Sequence, residues 1–286
     1  MFGFLNVYKP KGITSHDVVA RLRKVTKIKQ IGHTGTLDPF AEGVLPVCIG
    51  KATRLIEYLR DDKAYIATIQ FGKTTDTYDI DGKVLTTSDK IISEQDVING
   101  LKSFEGEIEQ TPPIYSALKV DGKKLYEYAR EGVEVEIKSR KTFIEKIELL
   151  SFNKEEQSAK IFVKCSKGTY IRSIGYDLGQ NLGCGAYLSA LVRAQAGDFN
   201  LDLATNLDDF KTIENVQKNI ISPLNKLPLK QVEINNIELK RICNGLQIYP
   251  REKINGLVTL VNNSKIVAIA TATEVEIKAK KVVYEN

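Results

Sequence analysis

The stretch from Gly32 to Gly50 constrains this chain more than any other. Gly32, Gly35, Thr34 and Thr36 make a tight polar loop. Asp38 stands directly before Pro39, and a residue before proline is pushed from helical towards extended backbone. That predicts a carboxylate outside any helix, held in one conformation. From Gly43 the apolar run Val44, Leu45, Val47, Cys48 and Ile49 predicts a short buried strand. Pro46 interrupts it, and proline within a strand predicts a sheet edge or a bulge. Reactive side chains are commonly presented on a polar loop fixed to a rigid element. Asp-Pro among glycines is equally plain turn chemistry, so both readings stand at this point.

The chain has 286 residues, enough for one large and one small domain. Hydrophobic residues make up 42% and charged ones 27%, as in ordinary globular proteins. No apolar run approaches the roughly 20 residues a membrane helix needs. Met1 to Pro10 lacks a charged segment followed by a long apolar core, so no signal peptide is expected and the cytoplasm is. Cys48, Cys165, Cys184 and Cys243 form no C-x-x-C pair and read as buried, reduced thiols. With only two histidines and no cluster of about four ligands, no metal is expected.

Net charge is +5 overall, but residues 1–60 hold ten Lys or Arg against four Asp or Glu. Arg21, Arg23, Lys24, Lys27 and Lys29 are grouped closely. Such a group beside a candidate reactive loop suits a phosphate-rich partner. A solvated helix face would look the same.

Phe4 to Tyr8 reads as a strand. Ser15 then reads as the N-cap of a helix carrying Val18, Val19, Leu22 and Val25 at helical spacing, with Asp17 in its first turn. Lys51–Arg60 reads as a helix. In residues 63–72, Tyr65, Ala67, Ile69 and Phe71 alternate with more polar positions, the period of a strand. Thr74 to Gly82 reads as a polar loop without the spacing of a calcium loop. Ser93–Phe104 reads as a helix with Ser93 and Asp96 in capping-box spacing and Val97, Ile98, Leu101 and Phe104 facing inward. Residues 110–132 mix tyrosines with lysines, which suits RNA and suits a surface hairpin equally. Lys141–Phe152 and Ser158–Cys165 read as paired strands, followed by a helix with Ile174, Leu178 and Leu182. Asn206–Ile221 reads as a helix and Pro223–Pro228 as a linker. Beyond it, short strands at Val232–Ile234, Ile248–Tyr249, Leu257–Val261 and Ile266–Ala272 fit a small β-barrel. Some 60 residues are marginal alone, so this tail is expected to dock on the main body.

The opening stretch resembles the catalytic motif of the TruB family, the bacterial enzymes that make pseudouridine at position 55 of tRNA. Further matches follow in family order. Lys9-Pro10-Lys11-Gly12 with Thr14-Ser15 resembles the first motif, and Gly168-Thr169-Tyr170-Ile171-Arg172 another. Gln110 to Gly132 resembles the inserted thumb, and Gly183 to Arg193 the last motif. The match departs at Val192, where many relatives carry the first of two adjacent arginines. The tail resembles, less strongly, the PUA RNA-binding module.

The resemblance implies an α+β fold. A large mixed or antiparallel sheet would form a catalytic domain over 1–227, with a thumb insertion at about 110–141. A PUA-like β-barrel domain would span 228–286. It also implies that Asp38 is the nucleophile, that Arg172 pairs with it, and that Tyr65 lies against the target base. A guanidinium beside a carboxylate favours its charged form. His33 is implied to fill the space the flipped base leaves, Tyr170 to pack on the base, and Leu191 to wall the pocket. Taken alone, Tyr65 and Leu191 read as core, Arg172 as a surface or capping residue, and His33 as a brace for its loop. The implied reaction is isomerisation of uridine 55 in the tRNA T-loop, with base flipping and no cofactor. The implied partner is the tRNA T-arm, with no guide RNA and a monomeric protein. A tRNA-binding chaperone that refolds the T-arm without chemistry is the alternative. It would need no Asp38, Tyr65 and Arg172 set.

Overall fold

The computed structural model describes residues 1–284. The expected tail domain runs to 286, so its last two residues lie outside the described residues. The chain opens with β1 (Gly3–Lys9), α1 (Ser15–Thr26), β2 (Ile31–His33) and β3 (Glu42–Ile49). β4 (Lys63–Phe71), the hairpin β5 (Lys73–Thr75) and β6 (Val84–Thr87), α2 (Glu94–Leu101) and β7 (Gly106–Gln110) follow. An excursion then carries β8 (Lys119–Val120), β9 (Lys123–Lys124) and α3 (Leu125–Glu131). β10 (Arg140–Asn153), β11 (Ser158–Cys165), α4 (Ile171–Asn181), β12 (Ala186–Ala196), β13 (Phe199–Asn200), β14 (Thr205–Asn206) and α5 (Ile213–Lys218) complete the main body. The tail holds β15 (Lys230–Glu233), α6 (Asn236–Cys243), β16 (Gly256–Asn262), β17 (Lys265–Ala272) and β18 (Ile277–Val282).

Ten strands form one mixed sheet in the order β14-β1-β3-β12-β4-β11-β10-β7, with β2 on β3 and β13 on β12. Only the β1–β14 and β3–β12 pairings are parallel. Alternation decides which face each side chain takes. Leu5, Val7, Leu45, Val47 and Ile49 pack with Val18 and Leu22 of α1 on one side. Phe4, Val44 and Cys48 point the other way, towards Leu55 and the tail. Both faces of β1 and β3 are therefore buried, which is why these strands read as apolar runs. Tyr65, Ala67, Ile69 and Phe71 of β4 enter a second core with Ile161 and Val163 of β11 and Ile174 and Leu178 of α4.

Several expectations are corrected in detail. Pro46 lies in an internal strand, not at an edge. β3 is flanked by β12 at Glu42–Gly43 and by β2 at Val47–Ile49. Pro46 falls where these neighbours change over, and its carbonyl accepts Thr34 N at 3.1 Å, so its missing donor faces the gap. Thr14, not Ser15, caps α1, in a reciprocal capping box with Asp17. The helix expected over 51–60 is a 3-10 helix over Gly50–Tyr58. The long helix expected over 206–221 is a 3-10 turn at Leu207–Asp209 and the short α5. Ser93 and Asp96 do form a capping box, but Ile98 is turned outward and 36% exposed. Cys48, Cys165 and Cys184 are buried thiols, whereas Cys243 is exposed.

The tail is a four-stranded sheet, β15-β16-β17-β18, with α6 beside it. α6 and β18 add to the strands expected from the sequence, and Ile248 makes a single bridge, to Ile277. A four-stranded sheet with a helix thus makes up the tail, for which the sequence suggests a small β-barrel. The tail docks as expected. Ile266, Ile269 and Val283 pack against Phe4, Val44 and Cys48. Arg54 Nη1 donates to Val282 O at 2.8 Å.

Candidate active site

The loop between β2 and β3 lies where β3, β12 and β4 adjoin. Arg193 on β12 is the register partner of Gly43 on β3 and of Tyr65 on β4. A Cβ at Gly43 would stand 2.4 Å from Arg193 O, and Gly43 has φ +108°, so only glycine allows this approach. The Arg193 side chain is 1% exposed and turns onto the loop. Its Nε donates to Val44 O at 2.7 Å, Nη1 to Thr36 O at 3.2 Å and Nη2 to Gly35 O at 3.1 Å.

The turn after β1 ties down the other side of the loop. Ser15 Oγ accepts from Leu37 N at 2.8 Å and donates to Leu37 O at 3.1 Å. Gly12 N donates to Pro39 O at 2.8 Å. The buried Lys9 gives its ammonium to Pro10 O and Ile13 O at 2.8 and 2.7 Å. Burial pulls that ammonium down to about 8, against the opposing pull of Asp38. Arg193, Ser15 and Lys9, the last through a longer bond to Pro39 O at 3.4 Å, thus hold the loop by its main chain and leave the Asp38 side chain 33% exposed.

Arg172 lies in the first turn of α4 with its side chain 4% exposed. Its Nε stands 2.9 Å from Asp38 Oδ2, off the line of a hydrogen bond, so the contact is an ion pair. A second carboxylate, Asp79, meets Nη1 at 3.3 Å through Oδ2. Nη1 also donates to Thr77 O, and Nη2 to Tyr115 O, both at 2.8 Å. Four acceptors from three segments therefore fix one guanidinium.

In the sequence Asp79 reads only as part of a polar loop, and Arg193 only as the end of a motif. The structure makes the first a partner of Arg172 and the second the main tie of the loop. Asp79 is buried. Its Oδ1 accepts from Thr77 Oγ1 at 2.6 Å and Asp81 N at 3.1 Å. Burial raises its carboxyl above the usual range, ahead of the lowering influence of Thr77 and Arg172.

A cavity of about 360 Å³ opens over Asp38. Tyr65, Tyr170, Arg172 and Leu191 line it, so five of the six residues singled out in the sequence meet there. Tyr65 is 7% exposed, and burial pushes its phenol up to about 12. His33 does not line the cavity. It ends β2 opposite Val47, its Nδ1 buried without a hydrogen-bond partner, and burial lowers its ring below the usual value. Among the described residues, no three His, Cys, Asp or Glu side chains gather as metal ligands would.

The sequence matches the model of the "TruB family pseudouridylate synthase (N terminal domain)" over residues 23–171. The model of the "tRNA pseudouridylate synthase B C-terminal domain" continues over 172–227. This chain belongs to the TruB family. A TruB relative named tRNA pseudouridine synthase B, from Clostridium tetani, is 42% identical over 98% of this chain and 99% of its own. One from Clostridium acetobutylicum with the same name is 44% identical over 89% and 88%. Among solved structures, a chain in the crystal structure of a Cbf5-Nop10-Gar1 complex aligns with a TM-score of 0.72 at 28% identity. It covers 98% of this chain and 84% of that one. A chain of an H/ACA RNP bound to a substrate RNA containing 2'-deoxyuridine aligns with the same TM-score at 26% identity, over 99% and 86%. The family match places Asp38, Tyr65, Asp79 and Arg140 within the N-terminal model, and Arg172 and Leu191 within the C-terminal one.

Proposed function

We propose that the protein converts uridine 55 in the T-loop of tRNA to pseudouridine. The observation that carries this reading is the Asp38 carboxylate paired with a buried guanidinium at a cavity walled by Tyr65, Tyr170 and Leu191. Apolar and aromatic walls suit a base taken out of its stack, which costs a few kcal/mol. The N1–C1′ bond breaks, the uracil turns, and C5 bonds to C1′. N1 gains a proton and C5 loses one, with no net redox change.

Asp38 acts on the sugar–base bond as the nucleophile, and Arg172 orients it. Tyr65 stacks on the base, Tyr170 packs beside it and Leu191 closes the wall. His33 enters the space the base leaves. No cofactor takes part. The catalytic domain spans 1–227 with its thumb at about 110–141, and 228–286 is a PUA-like RNA-binding domain. Ser116, Ala117 and Leu118 of the thumb line the cavity, which supports a role in clasping the T-arm. The protein works as a cytoplasmic monomer without a guide RNA. No helix among the described residues is long and apolar enough to cross a membrane.

The test is tritium release from C5-labelled uridine in an unmodified tRNA transcript. Wild type should release one equivalent. Asp38→Asn should bind equally and react at least ~10⁴-fold more slowly, the scale for losing a nucleophile. Tight binding without release by wild type would replace the synthase with a tRNA chaperone.

A further inference from the structure

Two cations in the cavity have no role in the scheme above. Lys63 and Arg140 both line it. Arg172 is matched by Asp38 and Asp79, and Arg193 is bonded to carbonyls. Among the described residues, neither Lys63 nor Arg140 has a carboxylate within 4.0 Å. The Asp61 carboxylate is taken by Lys167 at 2.8 Å, leaving Lys63 only the Asp61 carbonyl at 3.3 Å. Burial holds the Lys63 ammonium below its usual value, and Arg193 adds to this. The Lys63 stem passes the reactive loop: a Cβ at Gly35 would lie 3.6 Å from its Cε.

Arg140 begins β10, where the thumb returns to the sheet. Its Nη2 donates to Gly168 O at 2.7 Å, and its guanidinium lies 5.0 Å from the centre of the Tyr170 ring. The two cations flank one segment. Lys63 is the register partner of Cys165, and Arg140 reaches Gly168 three residues on. A partly buried cation without a counter-ion is costly, and a bound anion relieves that cost. Arginine, with several donors in a fixed fork, and lysine, a point charge, are both suited to phosphate.

The geometry points to a phosphate subsite formed by Lys63 and Arg140, which grips the backbone phosphates flanking the flipped uridine. This rests on the reading that the cavity takes a nucleotide. With the base against Tyr65 and C1′ over Asp38, the phosphates extend from the ribose away from the base. The partly buried Lys63 and Arg140 are the cavity cations left to receive them. Both are positioning residues: they seat C1′ over Asp38 without touching the reacting atoms.

The test uses an unmodified T-arm hairpin RNA as the probe. Its Kd is measured over about 50–300 mM salt, where phosphate contacts set the salt dependence. Lys63→Met and Arg140→Met should each flatten the slope of log Kd against log salt by about 0.7, the value for one contact to single-stranded RNA. Each should also weaken binding at low salt about ten-fold, the lower end for a charge-assisted hydrogen bond. Lys63→Arg and Arg140→Lys keep the charge and should keep the slope. Unchanged slopes in both methionine variants would overturn the subsite, even with activity lost, since that pattern marks a structural role. So would flattening in the charge-conserving variants. Tritium release by wild type is read separately. Its absence would sink the synthase reading, whereas an unchanged slope sinks only the phosphate subsite.

Discussion

Replacing Asp79 by Asn separates what this carboxylate does for the fold from what it does for the site. At 3.3 Å from Arg172 Nη1, its gross attraction is about 5 kcal/mol at an effective dielectric of about 20. Burying a carboxylate costs several kcal/mol, which offsets most of that gain. The raised Asp79 carboxyl is the signature of that offset: burial outweighs the guanidinium. In the Asn variant, Oδ1 can still accept from Thr77 Oγ1 and Asp81 N. An amide NH₂ then meets Arg172, donor against donor. Arg172 keeps Asp38 as its counter-charge, so it is not left as an uncompensated buried ion, and stability should change by less than about 2 kcal/mol. Arg172 should shift, Asp38 with it, and kcat should fall about 10²-fold, the usual cost of a misplacement near 1 Å. Urea unfolding and single-turnover tritium release read the two effects separately. A variant with wild-type kcat, or one destabilised by more than about 4 kcal/mol, would refute the reasoning. The pH dependence has a definite sign. A carboxyl raised by folding binds its proton more readily in the native state. Its stabilising share is full below the unfolded value, about 3.9, and is lost as pH rises through the folded one. The wild type should lose stability relative to the Asn variant as pH climbs through that window.

Arg193→Met leaves the carbonyls of Val44, Thr36 and Gly35 without donors. Each unsatisfied group costs about 1–3 kcal/mol, so the variant should lose about 3–5 kcal/mol in denaturant unfolding. A loss below about 1 kcal/mol would mean that the loop holds itself. Gly43→Ala places a methyl 2.4 Å from Arg193 O at a positive φ. It should fail to fold or lose at least about 3 kcal/mol, and a wild-type melting temperature would disprove the close approach.

What the sequence made legible was local. The alternation of β4, the capping box at Ser93 and the glycine-rich loop before β3 all depend on near neighbours, and each formed. The four-stranded tail was half legible. Leu257–Val261 and Ile266–Ala272 are apolar runs, whereas Lys278, Lys280 and Lys281 masked β18. The 206–221 helix failed because Leu207, Phe210 and Val216 are buried against the sheet without a continuous helix beneath them. At the site, Asp38 was marked by its proline and glycines. Asp79 had no such mark, because its partner is 93 residues away and a turn rich in aspartates already accounts for a carboxylate there. Its one signal was Thr77 two residues earlier, a spacing that lets a hydroxyl orient a carboxylate.

Arg193 was hidden for a different reason. Its acceptors are main-chain carbonyls, and any residue supplies one, so no side-chain pattern in the loop betrays it. The same holds for Ser15 and Lys9, which bind Leu37 and the turn at Pro10–Ile13 through the backbone. Holding a loop by its carbonyls has a consequence for the chemistry. The ties fix the main chain around Asp38 and engage neither carboxylate oxygen. Arg172 meets one of them as an ion pair off the hydrogen-bond line. On the proposed mechanism, Asp38 then enters the reaction with its position set and its carboxylate oxygens free of hydrogen bonds. Such preorganisation lowers a barrier only if it costs no reorganisation at the moment of reaction. The buried Arg172, fixed by Thr77 O, Tyr115 O and Asp79, meets that condition because its anchors do not depend on the substrate.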